Sequence, residues 1–112
     1  MTVSETFFSL EVGDMQRATA FYVDALGATV KFTSPTWSSL FIAGVRIGLF
    51  ADANHAPART GLHFAVADLA AACAEIERAG GRIAKPAHEV APGVTIAEVT
   101  DTEGNTVTLR AA

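Results

Sequence analysis

His63 and Glu11 are the side chains whose types best suit proton transfer near neutral pH. An imidazole titrates there unaided, and a carboxylate beside an imidazolium stays ionised. Glu11 has a simpler alternative, an ion pair with Arg46 or Arg110. Ser9 has neither a base nor an oxyanion arrangement beside it, so nucleophilic catalysis finds no support. Cys73 lies among alanines with no flanking cation to lower its pKa and reads as core. His55 reads as solvated loop, and His88 with Glu89 as a loop after Pro86, either solvated or a flap. The glycines at 80, 81, 93 and 104 form no nucleotide-cradling motif.

The elements that must position these groups come in two copies. Phe8-Ser-Leu-Glu-Val-Gly-Asp14, a helical stretch and Gly27 return as Leu62-His-Phe-Ala-Val-Ala-Asp68, another helical stretch and Gly80-Gly81. Val12 to Val66, Asp14 to Asp68 and Gly27 to Gly81 are each offset by 54 positions, so one supersecondary unit is repeated. In each copy a strand with period-two alternation leads to an Asp N-cap, an amphipathic helix and a glycine stop. Strand-like runs at 29–33, 37–42 and 45–50 complete the first copy as βαβββ, and runs at 82–85, 94–99 and 106–110 complete the second. Asp101-Thr-Glu-Gly-Asn105 supplies a tight turn before the last strand. The expected organisation is one domain over 1–112, with module 1 at about 5–50, a polar linker at 51–60 and module 2 at about 61–112.

Composition excludes several roles. The chain has 112 residues, 50% hydrophobic and 18% charged, enough to fold without disulfide or structural metal. A net charge of −4 with no basic run argues against nucleic acid and suits, weakly, a cationic ligand. No apolar run is long enough to span a membrane, and the N-terminus lacks the pattern of a secretory signal. A lone cysteine fits a reducing cytoplasm, and the oily composition fits a homodimer.

Leu10-x-Val-x-Asp14, Phe21-Tyr22 with Leu26-Gly27, Phe64-x-Val-x-Asp68 with Gly80-Gly81, and Asp101-x-x-Gly104-Asn105 together resemble the vicinal oxygen chelate superfamily, the glyoxalase, bleomycin-resistance and extradiol-dioxygenase group. The resemblance implies an α+β fold, two βαβββ modules forming a curled, cup-like eight-stranded mixed sheet with helices on its outer face, commonly as a homodimer. Metal-dependent members keep four ligands in the cup, and the matching positions here are Phe7, Gly48, Gly61 and Thr108. These cannot together hold a divalent metal, so no cofactor is expected. A two-residue slip would bring His63 to the place of Gly61, but Leu62, Phe64 and Val66 then lose their shared face. Glutathione-linked members carry a basic residue where this chain has Glu11, which speaks against that ligand.

If those four positions mark the cup-facing register, Phe7, Ser9, Glu11, Arg46, Gly48, Phe50, Gly61, His63, Ala65, Thr108 and Arg110 line or rim the cup, joined by Trp37, Ser39 and Phe41. Gly48 and Gly61 would leave room, and the aromatic rings would contact either a ligand or each other. The leading expectation is a metal-independent protein binding an aromatic or amphipathic small molecule, with drug sequestration as its most concrete form. The alternatives are a cofactorless isomerase, cyclase or lyase using His63 and Glu11, which the resemblance brings near one another, and a divergent metal-dependent lyase or dioxygenase.

Overall fold

The computed structural model describes all 112 residues. The chain forms two compact units, residues 1–55 and 56–112. Unit 1 contains β1 (Phe8–Val12), α1 (Met15–Leu26), β2 (Thr29–Thr33), β3 (Trp37–Ile42) and β4 (Val45–Ala51). Unit 2 contains β5 (Arg59–Val66), α2 (Leu69–Arg78), β6 (Arg82–Ala91), β7 (Val94–Thr100) and β8 (Thr106–Ala111). Each is βαβββ, as the repeat requires. The eight strands hydrogen-bond as two mixed sheets of four, ordered β1-β4-β3-β2 and β5-β8-β7-β6.

Helix α1 starts where Asp14 leaves extended backbone and its carboxylate accepts the Arg17 amide at 3.0 Å. It stops at Gly27, whose φ of 66° suits a residue without Cβ. Between the caps, Met15, Ala18, Phe21 and Tyr22 recur at helical spacing and are buried. They cover Leu10, Val12, Leu40, Ile47 and Leu49, and burying each large apolar side chain contributes roughly 1.5–3 kcal/mol. In unit 2, Asp68 caps α2 through the Ala71 amide, and Leu69 and Ile76 are buried with Leu62, Val99, Val107 and Leu109.

The parallel pairing of each unit's first and last strands fixes the faces. Ser9 opposes Gly48 and Leu10 opposes Leu49 in unit 1, while His63 opposes Thr108 and Phe64 opposes Leu109 in unit 2. Because side chains alternate across a strand, burying Leu10 and Leu49 under the helix sends Ser9 and Gly48 to the other face.

Two boundaries differ from the sequence expectation. The linker is shorter, Asp52 to Ala58, because Asn105 Oδ1 accepts the Ala58 amide at 3.0 Å and Thr106 N donates to Ala58 O, drawing β5 back to Arg59. Strand β6 runs on through Pro86 to Ala91, so His88 and Glu89 belong to a strand and not to a loop. Its ladder with β7 absorbs register shifts on either side of Pro86, which lacks an amide hydrogen and suits an edge strand.

Candidate functional site

The face of sheet 1 opposite α1 carries all the candidate residues of module 1: Phe7, Ser9 and Glu11 on or just before β1, Trp37, Ser39 and Phe41 on β3, and Arg46, Gly48 and Phe50 on β4. Ser39, Gly48 and Ser9 form one cross-strand row. On β3, Trp37 pairs with Phe50, Ser39 with Gly48 and Phe41 with Arg46, which puts these three on the face opposite Leu40 and Ile42.

An aromatic and cationic cluster organises this face. Phe7 meets Trp37 edge to face with ring centroids 6.3 Å apart, and the Arg46 guanidinium lies 4.4 Å above the Phe7 ring. Arg46 also donates from Nε to Ser39 Oγ at 3.1 Å and from Nη1 to both Glu5 carboxylate oxygens at 2.9 and 3.0 Å. Nothing in the sequence around Glu5 marks it as a partner for a strand arginine, since the contact spans 41 residues.

The glycines on these faces have reasons other than making room. A Cβ on Gly48 would collide with the six-membered ring of the Trp37 indole, so the missing side chain is already replaced by tryptophan. Gly61 has φ of 74° at the register shift between Arg59 and His63, a left-handed bulge position that favours glycine. The expectation that both leave space for a ligand is therefore corrected at Gly48, where packing fills it.

In unit 2, Gly61, His63 and Thr108 share the face opposite α2. His63, Thr108, Glu98 and Lys85 form one row across β5, β8, β7 and β6. His63 Nδ1 lies 3.0 Å from Gly61 O, an acceptor, so Nδ1–H donates there and Nε2 is the ring nitrogen left for other contacts. Glu98 is nearly buried, ion-paired with Arg59 and with Lys85 at 3.3 Å. The hydrogen bond from Arg59, with Lys85 adding to it, holds its carboxyl below the usual range despite burial. Sequence reasoning missed Glu98, although a single acid at the alternate position of the apolar run Val94-Thr-Ile-Ala-Glu-Val99 was a usable signal.

Two other features lie away from these faces. An open groove of about 840 Å³ runs between α1 and the turn after β2, lined by Met15, Thr19, Val23, Asp24 and Pro35. It contains none of the candidate residues, and Asp14 at its edge is engaged in capping α1. Cys73 on α2 is half-buried, and burial, reinforced by Glu77, pushes its thiol up, which makes it a poor nucleophile.

The donor set at the four metal-associated positions does not fit a metal. Phe7 packs edge to face on Trp37, Gly48 is covered, Gly61 serves a bulge, and Thr108 alone has a side-chain oxygen. No group of three or more His, Cys, Asp or Glu side chains converges anywhere in the chain.

Comparison with known proteins agrees with this fold. No curated protein sequence matches the chain significantly. A fosfomycin resistance protein, FosX, from Listeria monocytogenes superposes with a TM-score of 0.82 at 20% identity, covering 100% of this chain and 95% of that one. A glyoxalase/bleomycin resistance protein/dioxygenase family enzyme from Burkholderia phytofirmans gives 0.82 at 18% identity over 94% and 95%. A hypothetical protein from S. aureus gives 0.81 at 18% identity over 100% and 96%. FosX has also been crystallised with Mn(II).

Two expected outcomes follow from the site geometry. Gly48→Ala should cost about 1–3 kcal/mol through overpacking, read by chemical denaturation, and Gly48→Ala combined with Trp37→Leu should recover most of it; a neutral single variant would show that the indole does not pack there. The depressed Glu98 pKa gives stability that is complete above the ordinary value of 4.5 and is lost as pH falls through the lower folded value. Acid denaturation of Glu98→Gln should accordingly show a shallower loss than wild type below about pH 4.5, and superimposable acid limbs would contradict it.

The family model for the Glyoxalase/Bleomycin resistance protein/Dioxygenase superfamily matches residues 6–109, and the chain belongs to that superfamily.

Proposed function

We propose that this chain is a metal-independent small-molecule binding protein, taking an aromatic or amphipathic ligand on its exposed sheet faces, with sequestration as the simplest use. The observation that carries this reading is the Trp37–Phe7–Arg46 cluster. Phe7 stands at one of the positions where metal-dependent relatives keep ligands and Trp37 covers Gly48 at another, and the cluster offers ring surface with a fixed cation. Ser39 and Ser9 add hydrogen-bonding groups in the same row as Gly48.

A second reading is favoured by one feature of His63. With Nδ1 committed to Gly61 O, Nε2 can accept a proton, as a cofactorless isomerase, cyclase or lyase would require of its base. No helix is long and apolar enough to cross a membrane, and we place the protein in the cytoplasm as a homodimer on its lone cysteine, its exposed Phe8, Phe32 and Phe50, and its family.

Native mass spectrometry of freshly purified protein should reveal a co-purified organic molecule that stays bound after chelator treatment. A ligand that leaves with a stoichiometric divalent ion would overturn metal independence. With that molecule in hand, His63→Ala should weaken its binding under the first reading and abolish its turnover under the second. Light scattering at micromolar concentration should give the mass of a dimer, and a monomer there would count against the assembly.

A further inference from the structure

We propose that the groove between α1 and the turn after β2 is a second binding site, taking a small organic amine: an ammonium group on a compact apolar body. The groove lies wholly within unit 1, away from the candidate sheet faces, and its occupancy does not depend on theirs.

A hydroxyl network joins the two walls of the groove. Ser38, fully buried on β3, places its Oγ 3.1 Å from Met15 Sδ, 2.7 Å from Thr33 Oγ1 and 3.2 Å from Thr19 Oγ1. All three contacts are hydrogen bonds in only one proton arrangement. A thioether sulfur can only accept, so the single Ser38 hydroxyl proton goes to Met15. Both threonine hydroxyls then donate to the Ser38 oxygen, which has two lone pairs for them. Each threonine has thereby used its one proton, and what remains of it is acceptor only. Thr19 on α1 and Thr33 at the end of β2 both line the groove, so a pair of acceptors converges there and calls for a donor.

The charges select a cation among donors. Asp14 and Asp24 line the groove, and no lysine, arginine or histidine does. Asp14 is engaged in capping α1, whereas Asp24 is exposed and makes no ion pair. Asp24 also stands in the last turn of α1, where the free carbonyls leave partial negative charge and no basic residue answers it. An acid there works against the helix, and a bound ammonium would relieve it.

The remaining wall is apolar. Ala20, Val23 and Pro35 are exposed in the groove, with Val23 one turn beyond Thr19 and Asp24 one turn beyond Ala20 on the same helix face. A volume of about 840 Å³ suits a small molecule that lays its body on these side chains. The turn that carries Pro35 is already set, because Ser34 Oγ accepts the Thr36 and Trp37 amides and donates to Trp37 O. A wall that needs no reordering leaves more of the contact energy for affinity.

The test is a titration of ¹⁵N-labelled protein with phenethylamine, against neutral phenethyl alcohol and against sodium chloride at matched ionic strength. The amine should give saturable amide shifts at Thr19, Ala20, Val23, Asp24 and Thr33 that the alcohol and the salt do not reproduce. Asp24→Asn should weaken amine binding about tenfold, as expected for one lost charge-assisted contact. It should not lower the unfolding temperature, since it removes an acid from the negative end of α1. Thr33→Val, at an exposed strand position that keeps the branched side chain, should weaken the amine about fivefold by removing one acceptor. The absence of saturable shifts, equal affinity for amine and alcohol, or unchanged affinity in Asp24→Asn would each overturn the proposal. Amine shifts confined to Ser9, Ser39 and Gly48 would overturn it as well, by placing the ligand on the sheet face.

Discussion

Each unit depends on the parallel pairing of its first strand with its last. Once Leu10 and Val12 lie beside Leu49 and Ala51, and Phe64 and Val66 beside Leu109 and Ala111, one face of each sheet must go under the helix. Period-two alternation then leaves no freedom for the other face. Ser9 and His63 stand exposed on that face, and Gly48, Ser39, Thr108 and Glu98 lie buried on it, because their neighbours in sequence are core. The candidate sites are thus a by-product of burying valines and leucines, and their chemistry can vary while the fold stays constant.

The two faces have diverged in chemistry. Sheet 1 carries rings and a single arginine held by Phe7, Ser39 and Glu5, while sheet 2 carries cations around one buried carboxylate. In both, metal-associated positions have been given to packing or backbone geometry: an indole covers Gly48, and a left-handed bulge takes Gly61. A metal site needs several carboxylate, imidazole or thiolate donors converging on one point, and these residues cannot supply them.

Much of this was legible in the sequence, for a physical reason. Repetition gave the element order, Asp14 and Asp68 marked the helix starts, alternation put Phe7, Ser9 and Glu11 on one face of β1, and the family resemblance added Arg46 and Phe50 to that face. Long-range choices were not legible. Nothing local says that Trp37 will fold over Gly48, that Glu5 will reach Arg46, or that Asn105 will pull Ala58 into place, because each contact is set by tertiary packing. The extension of β6 past Pro86 was hidden for the same reason, since proline reads as a breaker unless the strand is known to lie at an edge.

The most direct measurement is calorimetry of 2-naphthol, a flat ring matched to the Trp37–Phe7 face, titrated into protein dialysed against chelator and again after addition of Mn(II). Metal-independent recognition requires saturable binding to the stripped protein with the same affinity in both titrations. Binding that appears only with Mn(II), or tightens by about tenfold or more when it is added, would contradict the account.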